Sequence, residues 1–191
     1  MDRRIKYTKK IIKDTLIDLL NKKDINKITV SEICKIADIN RATFYRYYLD
    51  VYDLLEQIKQ EFVTELKEAA KKDTQNDNIY TFLKDLLEVL VNNKELGKVL
   101  FNTKNSTYFL NDILELAYEK CKNRWKKDLP NIKEEDIEYA TIFIFNGTLG
   151  IINYWVQNDF DKSVEEMEAI IEKLCYFGTH KYIYNKKIDK K

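Results

Sequence analysis

Residues 28–58 read ITVSEICKIADINRATFYRYYLDVYDLLEQI. Thr29 followed three residues later by Glu32 forms a T-x-x-E capping box, which predicts that a helix starts at Thr29. The apolar residues of this helix recur at helical spacing on one face: Val30, Ile33, Cys34 and Ala37. A polar break follows, and Asn40 can cap a second short helix over residues 41–47. Two short helices joined by a tight turn predict a helix-turn-helix.

Two such short helices are not stable alone in water, so they must pack against neighbouring elements. A preceding helix is predicted over residues 8–22, because apolar side chains form one stripe there: Ile12, Leu16, Leu19 and Leu20. Asp50 can cap a longer fourth helix with its own stripe: Leu54, Leu55, Ile58, Phe62 and Leu66. Phe44 and Tyr48 are four residues apart and are expected to enter the same core.

The composition predicts an all-α protein. Only four Gly and one Pro occur in 191 residues, which is too few for the turns of an all-β fold. Further helices are predicted over residues 79–93, 96–103, 107–127, 134–157 and 163–183, for about nine in total, with Ser163 and Glu166 as a second capping box.

The polar segment 71–78 is the clearest boundary in the chain. It divides a helix-turn-helix domain (1–55, with its fourth helix continuing to about 70 as a connector) from a helical regulatory and dimerisation domain (71–185). Residues 186–191 are expected to form a flexible tail.

Charge is divided unequally between these parts. Residues 1–48 hold 12 of the 33 Lys and Arg but only six of the 32 Asp and Glu. A basic N-terminal quarter suits contact with phosphate, although a solvated charged surface explains the charge alone equally well. Three separated cysteines, Cys34, Cys121 and Cys175, indicate neither a zinc site nor a disulfide framework, so we expect a cytoplasmic protein with no metal and no cofactor. No signal peptide or transmembrane span is predicted.

The helix over residues 41–47 carries the strongest functional signal. Ala42 permits close approach to bases, while Arg41 and Arg46 can pair with guanine edges or phosphates. A packed aromatic cluster is the competing interpretation, which we prefer for Phe44 and Tyr48, leave open for Tyr45, and do not prefer for Tyr47. The predicted DNA-binding residues are Lys9, Lys10, Thr29, Ser31, Arg41, Ala42, Thr43, Tyr45, Arg46 and Tyr47.

The stretch 28–55 resembles the N-terminal domain of the TetR/AcrR family of bacterial regulators. The resemblance rests on a Thr-capped helix, a short turn, and the pattern Thr-hydrophobic-Tyr-x-His/Tyr, and it implies that Thr43, Tyr45 and Tyr47 contact the operator backbone. Two positions depart from the family pattern. Asp38 stands where the turn glycine is usual, and Val51 replaces a lysine that often reaches a phosphate from the fourth helix.

The stretch 137–160 is apolar nearly all round, so we expect it to be buried on several sides. It is predicted to pair with the last helix in a four-helix dimer bundle, as the resemblance also implies. The segment 147–174 resembles the end of a TetR-like C-terminal domain. The predicted dimer residues are Leu149, Ile152, Asn153, Val156, Met167, Ile170, Ile171 and Leu174.

An effector pocket is also predicted in the C-terminal helices, with ordinary core packing as the alternative for each member. The candidates are Phe82, Leu86, Phe101, Phe109, Trp125, Phe143, Asn146 and Tyr154. Asn146 is the most suggestive, because a buried amide needs a partner.

These patterns predict a sequence-specific DNA-binding regulator: a dimeric repressor of a palindromic operator, controlled by a small molecule or a partner protein, with no membrane partner. An enzyme is disfavoured, because His180 is the only histidine and no phosphate loop, metal cluster or nucleophile elbow occurs. The remaining alternative is a helical interaction module that has lost sequence-specific DNA binding, for which the missing lysine at Val51 is the argument.

Overall fold

A computed structural model of the chain describes residues 3–72, 79–101 and 111–184. Within these ranges the chain forms helices and no strand, which confirms the predicted all-α class. The helices are α1 (Arg3–Leu20), α2 (Val30–Ile36), α3 (Arg41–Tyr45), α4 (Val51–Lys72), α5 (Ile79–Asn92), α6 (Lys94–Phe101), α7 (Asn111–Asp128), α8 (Glu134–Gln157) and α9 (Val164–Tyr184), with a 3-10 turn (Ile25–Lys27) after α1. None of the described helices is both long and apolar enough to cross a membrane.

The predicted helix caps are present. In each case a backbone N–H three residues into the element donates to the side chain of the capping residue, as capping geometry requires. The donor–acceptor pairs are Glu32–Thr29 at 3.2 Å, Thr43–Asn40 at 2.7 Å, Asp53–Asp50 at 2.8 Å and Glu166–Ser163 at 3.2 Å. These local bonds fix where α2, α3, α4 and α9 begin.

The start of α1 was predicted wrongly. The helix begins at Arg3, not at Thr8, and the Thr8 hydroxyl donates to the carbonyl oxygen of Arg4 at 2.9 Å. Such a bond back to the preceding turn is made by a Thr inside a helix rather than at its cap.

Other boundaries shift slightly. The helix predicted over 41–47 ends at Tyr45, and the one predicted from residue 96 starts at Lys94. The expected polar break at 71–78 is entered by α4, which runs to Lys72, while residues 73–78 lie outside the described ranges.

One hydrophobic core runs from the helix-turn-helix into the body of the protein. Phe44 and Leu54 are completely buried in the N-terminal part, and Leu87 and Trp155 have at most 1% exposure in the body. The inward face of α4 joins the two regions through Ile58, Phe62 and Leu66. Because burial of each large apolar side chain stabilises the fold by roughly 1.5–3 kcal/mol, this shared core anchors the N-terminal helices on the body.

The turn between α2 and α3 is left-handed at Asp38, which has a φ of 50°. Glycine adopts this conformation without a steric cost, and Asp tolerates it better than most residues. The N–H of Ile39, just beyond it, donates to the carbonyl of Cys34 at 3.0 Å and closes the turn. Asp38 therefore supports a closed left-handed turn between α2 and α3.

The hydroxyl of Tyr48 is buried without a hydrogen-bond partner. Burial, with the carboxylates of Glu61 and Asp53 nearby, raises the pKa of this phenol to about 12. We expect Tyr48→Phe to keep the fold and to raise the free energy of unfolding by about 1 kcal/mol, because it removes a desolvated polar group. Urea titration of both proteins measures the change, and a variant less stable than the parent contradicts the assignment.

Candidate nucleic-acid interface

Helix α3 has one side in the core and the other side in solvent. Phe44 is its only fully buried residue, whereas Arg41, Ala42 and Tyr45 are exposed. Arg46, which follows the last residue of the helix, is exposed as well. A short rod whose inner side is fixed and whose outer side offers small, cationic and hydroxyl-bearing residues can enter a major groove.

Two of the predicted contact residues donate side-chain hydrogen bonds to other side chains of the protein. The guanidinium of Arg41 donates a hydrogen bond to the hydroxyl oxygen of Ser31, near the start of α2. The Thr43 hydroxyl donates to the Asn40 side-chain oxygen at 2.8 Å. Both groups must therefore exchange or share these partners to contact DNA, whereas Thr29 is exposed and its hydroxyl hydrogen is not used by the cap.

The two tyrosines of the motif lie in different surroundings. Tyr45 is 54% exposed, and its ring meets Phe44 edge-on at 5.6 Å between centroids. Tyr47 is half-buried against the core, and the Lys9 ammonium lies 5.4 Å from the centroid of its ring, within the range of a cation–π contact. Lys9 thus joins α1 to the end of α3, while Lys10 beside it is exposed.

The position of the missing lysine lies in the core. Val51 is 6% exposed and packs in the core with the other apolar residues of the N-terminal helices. Acidic groups occupy the start of α4, where the Asp53 carboxylate accepts the N–H of Leu49 at 2.8 Å. The Tyr52 hydroxyl donates to the Asn26 side-chain oxygen at 2.5 Å. No local sequence pattern signals this contact, because the two residues are 26 positions apart in the chain.

The predicted pocket residues do not form one group. Phe101 is buried in the main core, but Trp125 belongs to a second cluster with Cys121, Ile137, Ala140 and Ile183. Leu86 is half-buried, the side chain of Phe82 is not described, and Phe109 lies outside the described residues.

Three other pocket candidates lie on the outer surface of α8: Phe143, Asn146 and Tyr154. The expectation of a buried amide at Asn146 was wrong, because its side chain is exposed and donates to the Ile142 carbonyl at 2.8 Å within the same helix.

Half of the predicted dimer residues are in the core of the single chain. Ile152, Val156, Met167 and Ile171 are 7%, 1%, 3% and 2% exposed, which leaves little side-chain surface for a partner. Leu149 and Ile170 are half-buried, and only Asn153 and Leu174 are exposed. The prediction for the four buried residues is therefore corrected: α8 and α9 use these side chains to pack on the chain's own helices.

A different apolar surface is exposed on the same two helices. We call it the α8–α9 face, and its large members are Tyr139, Ile142, Phe143, Tyr154, Leu174, Tyr176 and Phe177, each at least 49% exposed. The two helices meet closely there, because a Cβ atom added at Gly178 would lie 2.7 Å from the Phe143 ring. Seven exposed large apolar side chains on two adjacent helices make this face a candidate interaction site.

The cysteines do not add a reactive site. Burial raises the pKa of the Cys121 thiol to about 12 and also raises the pKa of Cys34 and Cys175. These thiols stay protonated near neutral pH, so they are poor nucleophiles.

A helix-turn-helix with an exposed recognition helix, carried on an all-helical body, defines a DNA-binding transcriptional regulator. The family model TetR_C_8, described as a transcriptional regulator C-terminal region, matches residues 77–176, which is more than half of the chain. The chain therefore belongs to the TetR family of transcriptional regulators.

Relatives agree with this placement. The HTH-type transcriptional regulator YxbF of Bacillus subtilis (strain 168) is 34% identical over 67 residues, which are 35% of this chain and 18% of the length of YxbF. The dihydroxyacetone kinase operon activator DhaS is similar in structure (TM-score 0.66, 22% identity, 90% of this chain and 95% of that one). The fatty acid degradation regulator FadR from Bacillus halodurans is also similar in structure (TM-score 0.65, 18% identity, covering 90% of this chain and 95% of that one). At such identities the structural likeness establishes the fold alone.

Proposed function

We propose that the protein is a homodimeric repressor that places α3 of each subunit in successive major grooves of a palindromic operator. The observation that carries the proposal is the division of α3 between a buried anchor, Phe44, and an exposed outer side with Arg41, Ala42 and Tyr45. Base edges are read in the major groove by residues of these types, while hydroxyls and lysines hold the phosphates.

Nine of the ten predicted contact residues contact DNA directly in this arrangement, and Lys9 supports Tyr47 from α1. Ala42 lies against a thymine methyl, and Arg41 leaves Ser31 to pair with a guanine edge. Arg46 and Tyr45 contact the backbone beside the groove. The remaining backbone contacts come from Thr43, Tyr47, Lys10, and the start of α2 at Thr29 and Ser31, where N–H groups favour phosphate.

Dimerisation uses the α8–α9 face. Seven large apolar side chains are exposed there on two adjacent helices, and a second copy of the same face would cover them in a four-helix bundle. Asn153 and Leu174, the two exposed members of the predicted dimer set, belong to these helices. An effector, either a small molecule or a partner protein, acts on the helical body and changes the separation of the two α3 helices.

Selection of operators from random duplex DNA tests the proposal. The full-length protein should enrich two inverted half-sites whose centres are about 34–36 Å apart, one turn of DNA. Weak and equal binding to all duplexes contradicts it and favours the interaction module.

Arg41→Ala is expected to relax base preference at one position of each half-site, with a loss of about 1–3 kcal/mol of discrimination. Competition between the selected duplex and single-base variants measures this. Lys35→Ala, which removes an exposed cation from α2, is the matched control and should retain the base preference. If Arg41→Ala discriminates as well as the parent, Arg41 does not read a base.

The direction of control is tested separately. Deletion of the gene should raise transcription from the promoter that contains the selected operator. A fall in transcription would indicate activation, which is the activity that the name of DhaS gives to that protein.

A further inference from the structure

Five basic side chains lie on one side of α1. At about 100° per residue, they fall within a sector of about 120° that extends for about 15 Å along the helix. They are Arg3, Lys6, Lys9, Lys10 and Lys13, and we call this surface the basic arc. The sector contains no acidic residue, although Asp14 and Asp18 lie beyond its edge.

Two members of the basic arc have partners within the protein. Lys13 forms an ion pair with Glu61 of α4, and Lys9 lies over the ring of Tyr47. Arg3, Lys6 and Lys10 are exposed, and among the described residues no ion pair involves them. Asp14 follows Lys10 by one turn of helix, yet no ion pair joins the two in the structure.

The clustered cations of the basic arc destabilise α1 when no anion is bound to the protein. Arg3–Lys6 and Lys6–Lys10 are like-charge pairs at the i,i+3 and i,i+4 spacings where side chains meet, and such pairs oppose helix formation. The first turn of α1 has no acidic residue, so its cations also oppose the helix macrodipole. A polyanion on this side of α1 removes both penalties.

The basic arc lies beside the recognition helix α3, which indicates that this polyanion is DNA. Lys9 lies at one edge of the basic arc and contacts the ring of Tyr47. Tyr47 follows the exposed Arg46, which is the first residue after α3. When α3 occupies a major groove, the adjoining surface faces the sugar–phosphate backbone beside that groove.

We propose that the basic arc is a second DNA-contact surface, in which Arg3, Lys6 and Lys10 bind phosphates that flank the base pairs read by α3. Lys9 is a positioning residue that holds α1 against Tyr47. This inference rests on the proposed function and extends the footprint of each subunit along the backbone. The contacts carry no sequence information, so they add affinity and salt dependence rather than base preference.

The test compares the parent with R3A/K6A/K10A on two duplexes that share the selected operator. The long duplex has about one helical turn of extra DNA on each side, whereas the short duplex ends at the selected half-sites. K127A/K133A/K162A is the matched control, because it removes the same charge from exposed positions of the body. Dissociation constants are measured across a series of salt concentrations.

On the long duplex we expect R3A/K6A/K10A to lower the slope of log K against log salt by about 2.7 per subunit, or about 5 per dimer, at about 0.9 for each phosphate contact. On the short duplex the parent and this variant should differ far less, because the flanking phosphates are absent. The control variant should bind both duplexes as the parent does. The inference is overturned if R3A/K6A/K10A has the same salt slope as the parent on the long duplex. It is also overturned if the variant loses the same amount of affinity on both duplexes.

A second measurement separates this role from a structural one. Removal of three repelling cations should make the first turns of α1 more resistant to amide hydrogen exchange in the free protein, while binding to the long duplex becomes weaker. A variant that loses both protection and binding would owe its defect to an unfolded α1 and would contradict the inference. If the parent itself binds no duplex selectively, both the inference and the proposed function are wrong. If the parent binds selectively but R3A/K6A/K10A does not lower the salt slope, only the inference about the basic arc is wrong.

Discussion

Phe177→Glu is expected to convert the dimer into a folded monomer and to lower operator affinity by about two to four orders of magnitude. Phe177 is 75% exposed in the single chain, so a carboxylate there costs the monomer little. In the proposed interface the same carboxylate would be buried without a partner, which is strongly unfavourable. Loss of the dimer leaves one recognition helix per molecule and removes the gain from linked half-sites, about 10²–10⁴ in affinity.

Light scattering at micromolar concentration gives the mass of the Phe177→Glu variant, and circular dichroism checks that its helices remain. Ile36→Glu is the matched control, because Ile36 is an apolar residue of α2 with 58% exposure, far from the α8–α9 face in sequence. The control should stay dimeric. If Phe177→Glu also stays dimeric, the α8–α9 face is not the subunit contact.

The N-terminal architecture could be predicted from sequence because its signals are local. The cap residues Thr29, Asn40 and Asp50 each bond to an N–H only three residues away, so the chemistry that starts α2, α3 and α4 lies within one turn. The burial of Phe44 and Tyr48 likewise follows from their spacing of four residues.

Contacts between elements could not be predicted in this way. Lys9 meets Tyr47, and Tyr52 bonds to Asn26, only after the helices have packed. No periodicity within one helix contains that information. Tyr47 is likewise half-buried because it packs against the core, with Lys9 of α1 and Tyr48 beside its ring.

The assignment of faces on α8 failed for a physical reason. The helix is apolar on nearly all sides, so its hydrophobic pattern does not show which side covers the chain's own core. Ile152 and Val156, which were predicted for the interface, turn inward, whereas Phe143 and Tyr154, which were predicted for the pocket, turn outward. For a helix with two apolar surfaces, only the packed structure shows which surface covers the core and which one faces outward.

The buried anchor of the recognition helix leads to the prediction with the largest effect on stability. Phe44→Ala should lower the free energy of unfolding by about 3–5 kcal/mol, because a completely buried aromatic ring leaves a cavity among tightly packed neighbours. That ring contacts both Tyr45 and Tyr48 at 5.6 Å between centroids, so its removal also loosens the aromatic support of α3. Urea unfolding followed by circular dichroism measures the loss.

Tyr45→Ala is the matched substitution on the other side of the same helix. Tyr45 is 54% exposed, so we expect a stability change of about 0.5 kcal/mol or less together with weaker binding to every duplex. Phe44→Ala should therefore mainly lower the free energy of unfolding, whereas Tyr45→Ala, one residue away, should mainly weaken DNA binding. Equal stability losses in the two variants would mean that α3 does not rest on the core through Phe44, and the geometry that exposes Arg41 and Ala42 to a groove would then lose its physical basis.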